Sequence, residues 1–138
     1  MNIVLWVAQG LAAIIYLMAG SMKAFNTAKT QESMPWARDS TKAKVRFIGT
    51  AELLGAIGIV LPLVTGILPW VVVVAALALS LVQVLAIFTT HVPRKEFQAL
   101  PMNIAFLALT IFVAIGRFYR KRLTNPWNTG YRETQHRF

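Results

Sequence analysis

RFIGTAELLGAIGIVLP, residues 46–62, is the stretch that decides the fold of this 138-residue chain. It is an apolar, glycine-rich run that contains a single carboxylate, Glu52. A carboxylate at membrane depth is costly if it stays charged and unpaired, so it pairs with a cation or takes up a proton. Gly49, Gly55 and Ala56 share its helical face, at about 100° per residue. These small residues predict that another helix packs closely around the carboxylate.

The composition outside this stretch also indicates a membrane protein. Hydrophobic residues make up 57% of the chain and charged residues 14%, which is too apolar for a soluble domain of this size. Runs of about 20 apolar residues match a hydrocarbon core about 30 Å thick, which only a helix or a closed barrel can cross. We therefore expect an all-α membrane protein, a four-transmembrane-helix bundle. Its domain covers residues 1–119, with helices at about 3–22, 46–62, 70–90 and 102–118, and a polar basic tail follows over 120–138.

Two connections carry further expectations. The polar segment 24–45 predicts a short interfacial helix after Pro35, with Trp36 at the lipid headgroups; a solvated connector is the alternative. The segment 62–69, PLVTGILP, predicts a tight turn at the opposite membrane face. We call the face that carries residues 24–45 side B and the opposite face side A.

The basic residues indicate membrane topology rather than a nucleic-acid partner. The net charge is +9, and the 14 Lys and Arg lie almost wholly in the connections and the tail. Anionic lipid and positive-inside bias account for such a pattern. The count favours side B in the cytoplasm and both termini outside, although the cluster 117–122, RFYRKR, argues the other way. The chain has no cysteine, which excludes thiol chemistry within it.

Three polar residues from three predicted helices lie at nearly one depth. Tyr16, Glu52 and Gln83 are each six to eight residues, about 9–12 Å, inside the side B end of their helix. They predict a polar pocket in the side B half of the bundle, beneath a basic rim. The candidate residues for binding a ligand or partner are Tyr16, Lys23, Arg46, Glu52, Gln83, His91 and Asn103.

The pocket has two interpretations that the sequence leaves open. Lys23, whose long side chain reaches inward, is the expected partner of Glu52, and the pair is either a structural lock on the bundle or part of a ligand or proton site. Two polar stripes have a spacing of seven residues and are expected to face other helices: Gln9, Tyr16 and Lys23 in the first helix, and Asn103, Thr110 and Arg117 in the fourth. His91 predicts no metal site, because metal centres need several donors.

The chain resembles the DoxX-like family of small four-helix membrane proteins. The resemblance rests on YLMAGSMKAF at the end of the first helix, Pro35-Trp36, RFIGTAELLGAIGIVLP, TGILPW, Asn103 and Gly116-Arg117. It implies a four-helix bundle and a shared polar site at Lys23 and Glu52. The family takes its name from a subunit of a thiosulfate:quinone oxidoreductase, and other members resemble chaperone-like or cargo-handling membrane proteins.

Three functions are compatible with these features. The first is a non-catalytic accessory subunit that binds a lipid, a quinone or a partner helix. The second is a quinone-linked oxidoreductase subunit whose electrons come from a partner, since the chain has no identifiable cofactor motif. The third is a small proton-coupled transporter. In each case we expect a multi-pass protein of the plasma (inner) membrane, surrounded by lipid and able to form a homo-oligomer or join a larger membrane complex.

Overall fold

The structure, a computed structural model, describes residues 2–123, and within that range the regular elements are all helices. The prediction of an all-α membrane protein with four spanning helices is confirmed: four helices are long and apolar enough to cross a bilayer. The elements are α1 (Asn2–Phe25), α2 (Thr27–Ser33), α3 (Pro35–Arg38), α4 (Lys42–Thr65), α5 (Val71–Ala86), which continues as a π-helical turn (Ile87–His91), and α6 (Leu100–Leu123).

The four long helices form a closed ring. α1 packs along α4, α4 packs against α5, and α5 packs against α6. The contact between α6 and α1 is the least extensive of the four, and it closes the ring. Small residues and a few large ones fill the interior, among them Ala12, Ala76, Ile59 and Val113. Many large apolar side chains point outward instead, as expected when lipid rather than water surrounds the bundle.

The contact between α1 and α4 depends on two glycines. A Cβ atom placed on Gly49 would lie 2.6 Å from the backbone nitrogen of Ala24 and 2.7 Å from the carbonyl oxygen of Gly20. A Cβ on Gly20 would in turn lie 2.8 Å from the carbonyl oxygen of Gly49. The two backbones therefore touch without an intervening side chain, one turn from Lys23 and Glu52, as small residues permit in membrane helices.

The structure corrects both expected ends of α4. The helix begins at Lys42 rather than near Arg46, and the side chain of Thr41 caps it by accepting a hydrogen bond from the Lys44 N–H. It also continues through Pro62 to Thr65 and ends at Gly66, whose φ of 71° is the left-handed conformation that glycine adopts readily. The expected turn over residues 62–69 is therefore confined to the residues after Thr65.

Most of the ends of the other long helices lie closer to the predicted ones. α6 runs from Leu100 to Leu123, so its basic last turn is helical where a polar tail was expected from residue 120. The rest of that predicted tail, residues 124–138, lies outside the described residues. Lys and Arg near a helix end extend their charged groups toward the interface, so their charge does not end the helix.

The side B connection between α1 and α4 contains two short helices. α3 begins at Pro35, where a short helix was predicted, whereas α2 was not predicted. The hydroxyl of Thr30 in α2 donates to the carbonyl of Met22 at 3.0 Å, and the amide of Gln31 donates to the carbonyls of Ala37 and Ser40. These bonds fold the segment over the end of the bundle.

Candidate functional site

A bidentate ion pair joins α1 to α4 inside the bundle. The ammonium of Lys23 donates to both carboxylate oxygens of Glu52, at 2.6 and 2.8 Å. The Glu52 side chain is 3% exposed and that of Lys23 is 12% exposed, so the two charges are largely removed from the surroundings. The ammonium also lies 5.8 Å from the ring centroid of Trp36, which covers it from the side B connection.

A cavity of about 1080 Å³ opens beside this ion pair toward side B. Most of its wall is apolar and comes from α1, α4, α5, α6 and the two side B connections. Six of the seven predicted site residues line it: Tyr16, Lys23, Glu52, Gln83, His91 and Asn103. The structure thus brings these side chains to one place; their role in binding stays a prediction.

Arg46 does not line this cavity. It is exposed on the outside of α4, and Lys44 lies in the cavity wall instead. Two residues along a helix correspond to a rotation of about 200°, which places the two basic side chains on opposite faces. The structure therefore does not bring Arg46 together with the other six residues, and its role in binding stays a prediction.

Two buried polar atoms of the cavity wall lack a hydrogen-bond partner among the described residues. They are the hydroxyl oxygen of Tyr16 and the side-chain carbonyl oxygen of Gln83. Tyr16 is 1% exposed and Gln83 is 3% exposed. The centroid of the Tyr16 ring lies 5.8 Å from that of Phe106 on α6, and this contact fixes the orientation of the Tyr16 ring. Since buried polar groups are nearly always paired, these two atoms, which lie on neighbouring side chains, can pair with each other or with a bound molecule.

A second pair borders the same cavity nearer the membrane surface. Nδ1 of His91 lies 3.0 Å from Oε2 of Glu96, and the two side chains are 6% and 19% exposed. His91 is the last residue of the π-helical turn, and its carbonyl accepts from the Glu96 N–H, so the chain folds back at this point. Such turns occur frequently at functional sites.

Three charged residues of the cavity wall were not predicted from the sequence: Glu96, Lys44 and Lys95. Helical spacing gives no sign of the His91–Glu96 pair, because the residues are five apart and lie across the end of a helix. The lysines were treated as loop charges. The basic composition of the connections was the available signal, but it does not say which lysines point inward.

A different polar cluster lies at the side A end of the bundle. Nε of Arg117 on α6 donates to Oε1 of Gln9 on α1 at 2.8 Å, and the Gln9 amide nitrogen donates to the carbonyl of Ile59 on α4. The guanidinium carbon of Arg117 lies 4.9 Å from the centroid of the Trp6 ring. The two seven-residue stripes predicted to face other helices do so: Gln9 meets Arg117, Lys23 meets Glu52 on α4, and Thr110 meets Ser80 on α5.

These features define a class of protein: a multi-pass, all-α integral membrane protein with an ion pair beside an internal cavity. A family profile described as the DoxX-like family matches residues 7–113, so the chain belongs to this family. The predicted resemblance is confirmed over most of the chain. Comparisons with curated proteins and with solved structures gave no match.

Proposed function

We propose that this chain is a non-catalytic accessory subunit of the plasma (inner) membrane whose side B cavity binds the polar end of an amphipathic molecule. The ligand class is a quinone or a lipid with an oxygen-bearing head. The observation that carries the proposal is that the Tyr16 hydroxyl and the Gln83 carbonyl, both in the wall of the cavity, accept or donate no hydrogen bond of normal geometry within residues 2–123. A head that accepts one hydrogen bond and donates another satisfies both atoms.

The volume and the apolar wall fit such a ligand. A cavity of about 1080 Å³ is at the upper end of the range for small-molecule sites, about 300–1,000 Å³. Phe47, Leu85 and Met102 are exposed apolar residues of its wall. In a bilayer these residues face lipid, so an apolar tail can leave the cavity between them while the head stays beside Glu52.

The ion pair favours an uncharged polar head. Lys23 and Glu52 neutralise each other through two short hydrogen bonds, so neither presents a full unpaired charge to the cavity. An ammonium has three N–H donors, and two are used by the carboxylate. The third is available to a ligand carbonyl, so the pair supplies a directed donor without demanding an anion.

Binding of a short-chain quinone to the purified full chain in mild detergent tests the proposal. We expect decylubiquinone to bind, and Tyr16→Phe or Gln83→Leu to weaken binding about five- to tenfold, which corresponds to the loss of one hydrogen bond. Tyr119→Phe is the matched control, because Tyr119 is exposed and lies outside the cavity wall. A lipid head is tested in parallel by native mass spectrometry of co-purified lipids.

Two results would overturn the proposal. One is the absence of both quinone binding and co-purified lipid in the wild-type chain. The other is equal binding by the wild type, Tyr16→Phe and Gln83→Leu, which would place the ligand elsewhere and leave the cavity residues with a packing role.

A second candidate function is a quinone-linked oxidoreductase subunit. The observation in its favour is that Glu52 and the His91–Glu96 pair border one cavity at different distances from the surface. Such groups can transfer a proton between a bound quinone and water, while a partner protein supplies the electrons. Quinone reduction in membrane vesicles distinguishes it: Glu52→Gln should slow the reaction while Glu32→Gln, at an exposed site on α2, should not. Equal rates for the two variants would remove this candidate.

A further inference from the structure

In the side A cluster, the positive charge of Arg117 is not paired with any carboxylate of residues 2–123. Arg117 is 7% exposed, and within the described part of the chain its only hydrogen bond runs from Nε to the neutral amide of Gln9. Its Nη2 atom is buried and has no hydrogen-bond partner among residues 2–123. Since a guanidinium carries five N–H donors and always stays charged, most of its hydrogen-bonding capacity is unused here.

The acidic residues of the chain are placed elsewhere. The sequence contains five Asp and Glu. Four are in the described range, and all of them, Glu32, Asp39, Glu52 and Glu96, lie toward side B, whereas Arg117 lies near the side A end of α6. The fifth, Glu133, lies outside that range. A counter-charge for Arg117 therefore comes from the region after Leu123 or from another molecule.

The surroundings of Arg117 form a small cavity with a basic wall. Its volume is about 300 Å³, and Trp6, Arg117, Arg120 and Lys121 contribute to its lining, together with apolar residues at the side A ends of α4 and α5. Gln9 holds the guanidinium in a fixed direction, because its own amide nitrogen is bonded to the carbonyl of Ile59. The site is therefore built from three helices before a ligand enters.

We propose that this cavity binds a phosphate group, and that its source is the phosphodiester of an anionic lipid on side A. Arginine binds phosphate oxygens through two parallel N–H donors, and basic pockets between membrane helices bind anionic headgroups. Trp6 is placed as an interfacial aromatic beside the headgroup, where its ring covers one face of the guanidinium. This site is separate from the side B cavity and does not depend on its ligand.

Native mass spectrometry and nanodisc binding of the full chain test the proposal. We expect phosphatidylglycerol to be retained in preference to phosphatidylcholine, because both have a phosphodiester but only the first is a net anion. Arg120→Gln with Lys121→Gln should weaken retention about 25-fold, at about fivefold for each basic residue. Lys42→Gln with Arg46→Gln removes the same charge at side B, from exposed positions, and should leave this retention unchanged.

Further variants separate the site from general charge and from folding. Arg117→Lys keeps the charge but loses the planar fork, so it should reduce the preference while the variant still folds. Soluble glycerol phosphate should compete with the lipid if the phosphate alone is recognised, and failure to compete would show that the lipid is the required source. Both results support a phosphate site.

Three results would overturn the proposal. The first is equal retention of the two lipids by the wild type, with no binding of glycerol phosphate. The second is an equal loss in the Lys42/Arg46 control, which would indicate attraction to the membrane as a whole. The third is an unchanged lipid preference in Arg117→Lys, which would show that the guanidinium fork of Arg117 does not hold the phosphate.

Discussion

The two ends of the bundle hold a buried cation in different ways. At side B, Lys23 is paired with Glu52 through two charge-assisted hydrogen bonds, and the pair borders a large cavity with an apolar wall. At side A, Arg117 is held by the neutral amide of Gln9 and the Trp6 ring, beside a small cavity with a basic wall. Within residues 2–123, therefore, a carboxylate neutralises the buried cation at side B but not the one at side A. This is why we propose an uncharged polar head as the ligand at side B and an anion at side A.

The largest effect is expected when one member of the side B pair is removed. Lys23→Met leaves Glu52 uncompensated inside the bundle and should lower the free energy of unfolding by about 3–5 kcal/mol. Lys23→Met combined with Glu52→Leu should recover most of that loss, because no buried charge remains. Unfolding of the purified protein in mixed micelles measures both variants. A double variant as unstable as the single one would show that the pair stabilises the fold beyond offsetting the cost of burying its two charges.

The next largest effect is expected at the glycine contact that brings this pair together. Gly49→Ala places a Cβ against the backbone of α1, which cannot yield easily, and should cost about 1–3 kcal/mol. Gly116→Ala is the side A counterpart, and the atoms nearest to its Cβ would belong to the Leu5 side chain, which can shift more easily than a backbone. The same unfolding experiment compares them. Equal losses would contradict the view that the backbone contact between α1 and α4 at Gly49 yields less easily than the side-chain contact between α1 and α6 at Gly116.

A smaller effect is expected when the side A cation is removed. Arg117→Leu leaves one neutral acceptor, Oε1 of Gln9, without its donor, and should cost about 1–3 kcal/mol, less than Lys23→Met. Adding Gln9→Leu should offset part of the loss. Thermal unfolding in detergent measures whether the loss of stability at side A is smaller than the loss at side B. A greater loss at Arg117 than at Lys23 would reverse the comparison.

The smallest effect is expected at an ion pair outside the bundle. Arg94 and Asp39 lie 2.7 Å apart and link the two side B connections, but their side chains are 34% and 69% exposed. Asp39→Asn should change the free energy of unfolding by less than about 1 kcal/mol, and the change should vanish at high salt. A change as large as that of Lys23→Met would mean that the side B connections, rather than the buried pair, stabilise this end.

The sequence predicted the four spanning helices because apolar runs report directly on the thickness of a bilayer. Charge was a poorer guide to helix ends: the residues from Lys42 to Arg46 are helical, since lysine and arginine can extend along a helix toward the headgroups. Pro62 was taken as the end of its helix, although proline is tolerated inside membrane helices when neighbours satisfy the freed groups. α2 has no apolar period to reveal it and depends on contacts of Thr30 and Gln31.

The depth at which the candidate site lies in the membrane could be predicted from the sequence. Tyr16, Glu52 and Gln83 could be placed at one level by counting residues from the helix ends, and the structure places them around one cavity. The rotation of side chains about each helix was harder, as the exchange of Arg46 for Lys44 shows. The pairing of Gln9 with Arg117 required knowing that α1 and α6 are neighbours, which follows from closure of the ring and not from either stripe alone.

The ion pair has a consequence for how this chain enters a membrane. α1 and α4 are the first two spans in chain order, joined by the short helical segment that folds over their ends. A charged residue at the centre of a single inserting helix costs about 2.5–3.5 kcal/mol during biogenesis. Lys23 and Glu52 can meet as soon as these two spans form a hairpin, before α5 and α6 are synthesised. The carboxylate is therefore expected to leave the translocon already neutralised, with the first hairpin as the unit of insertion.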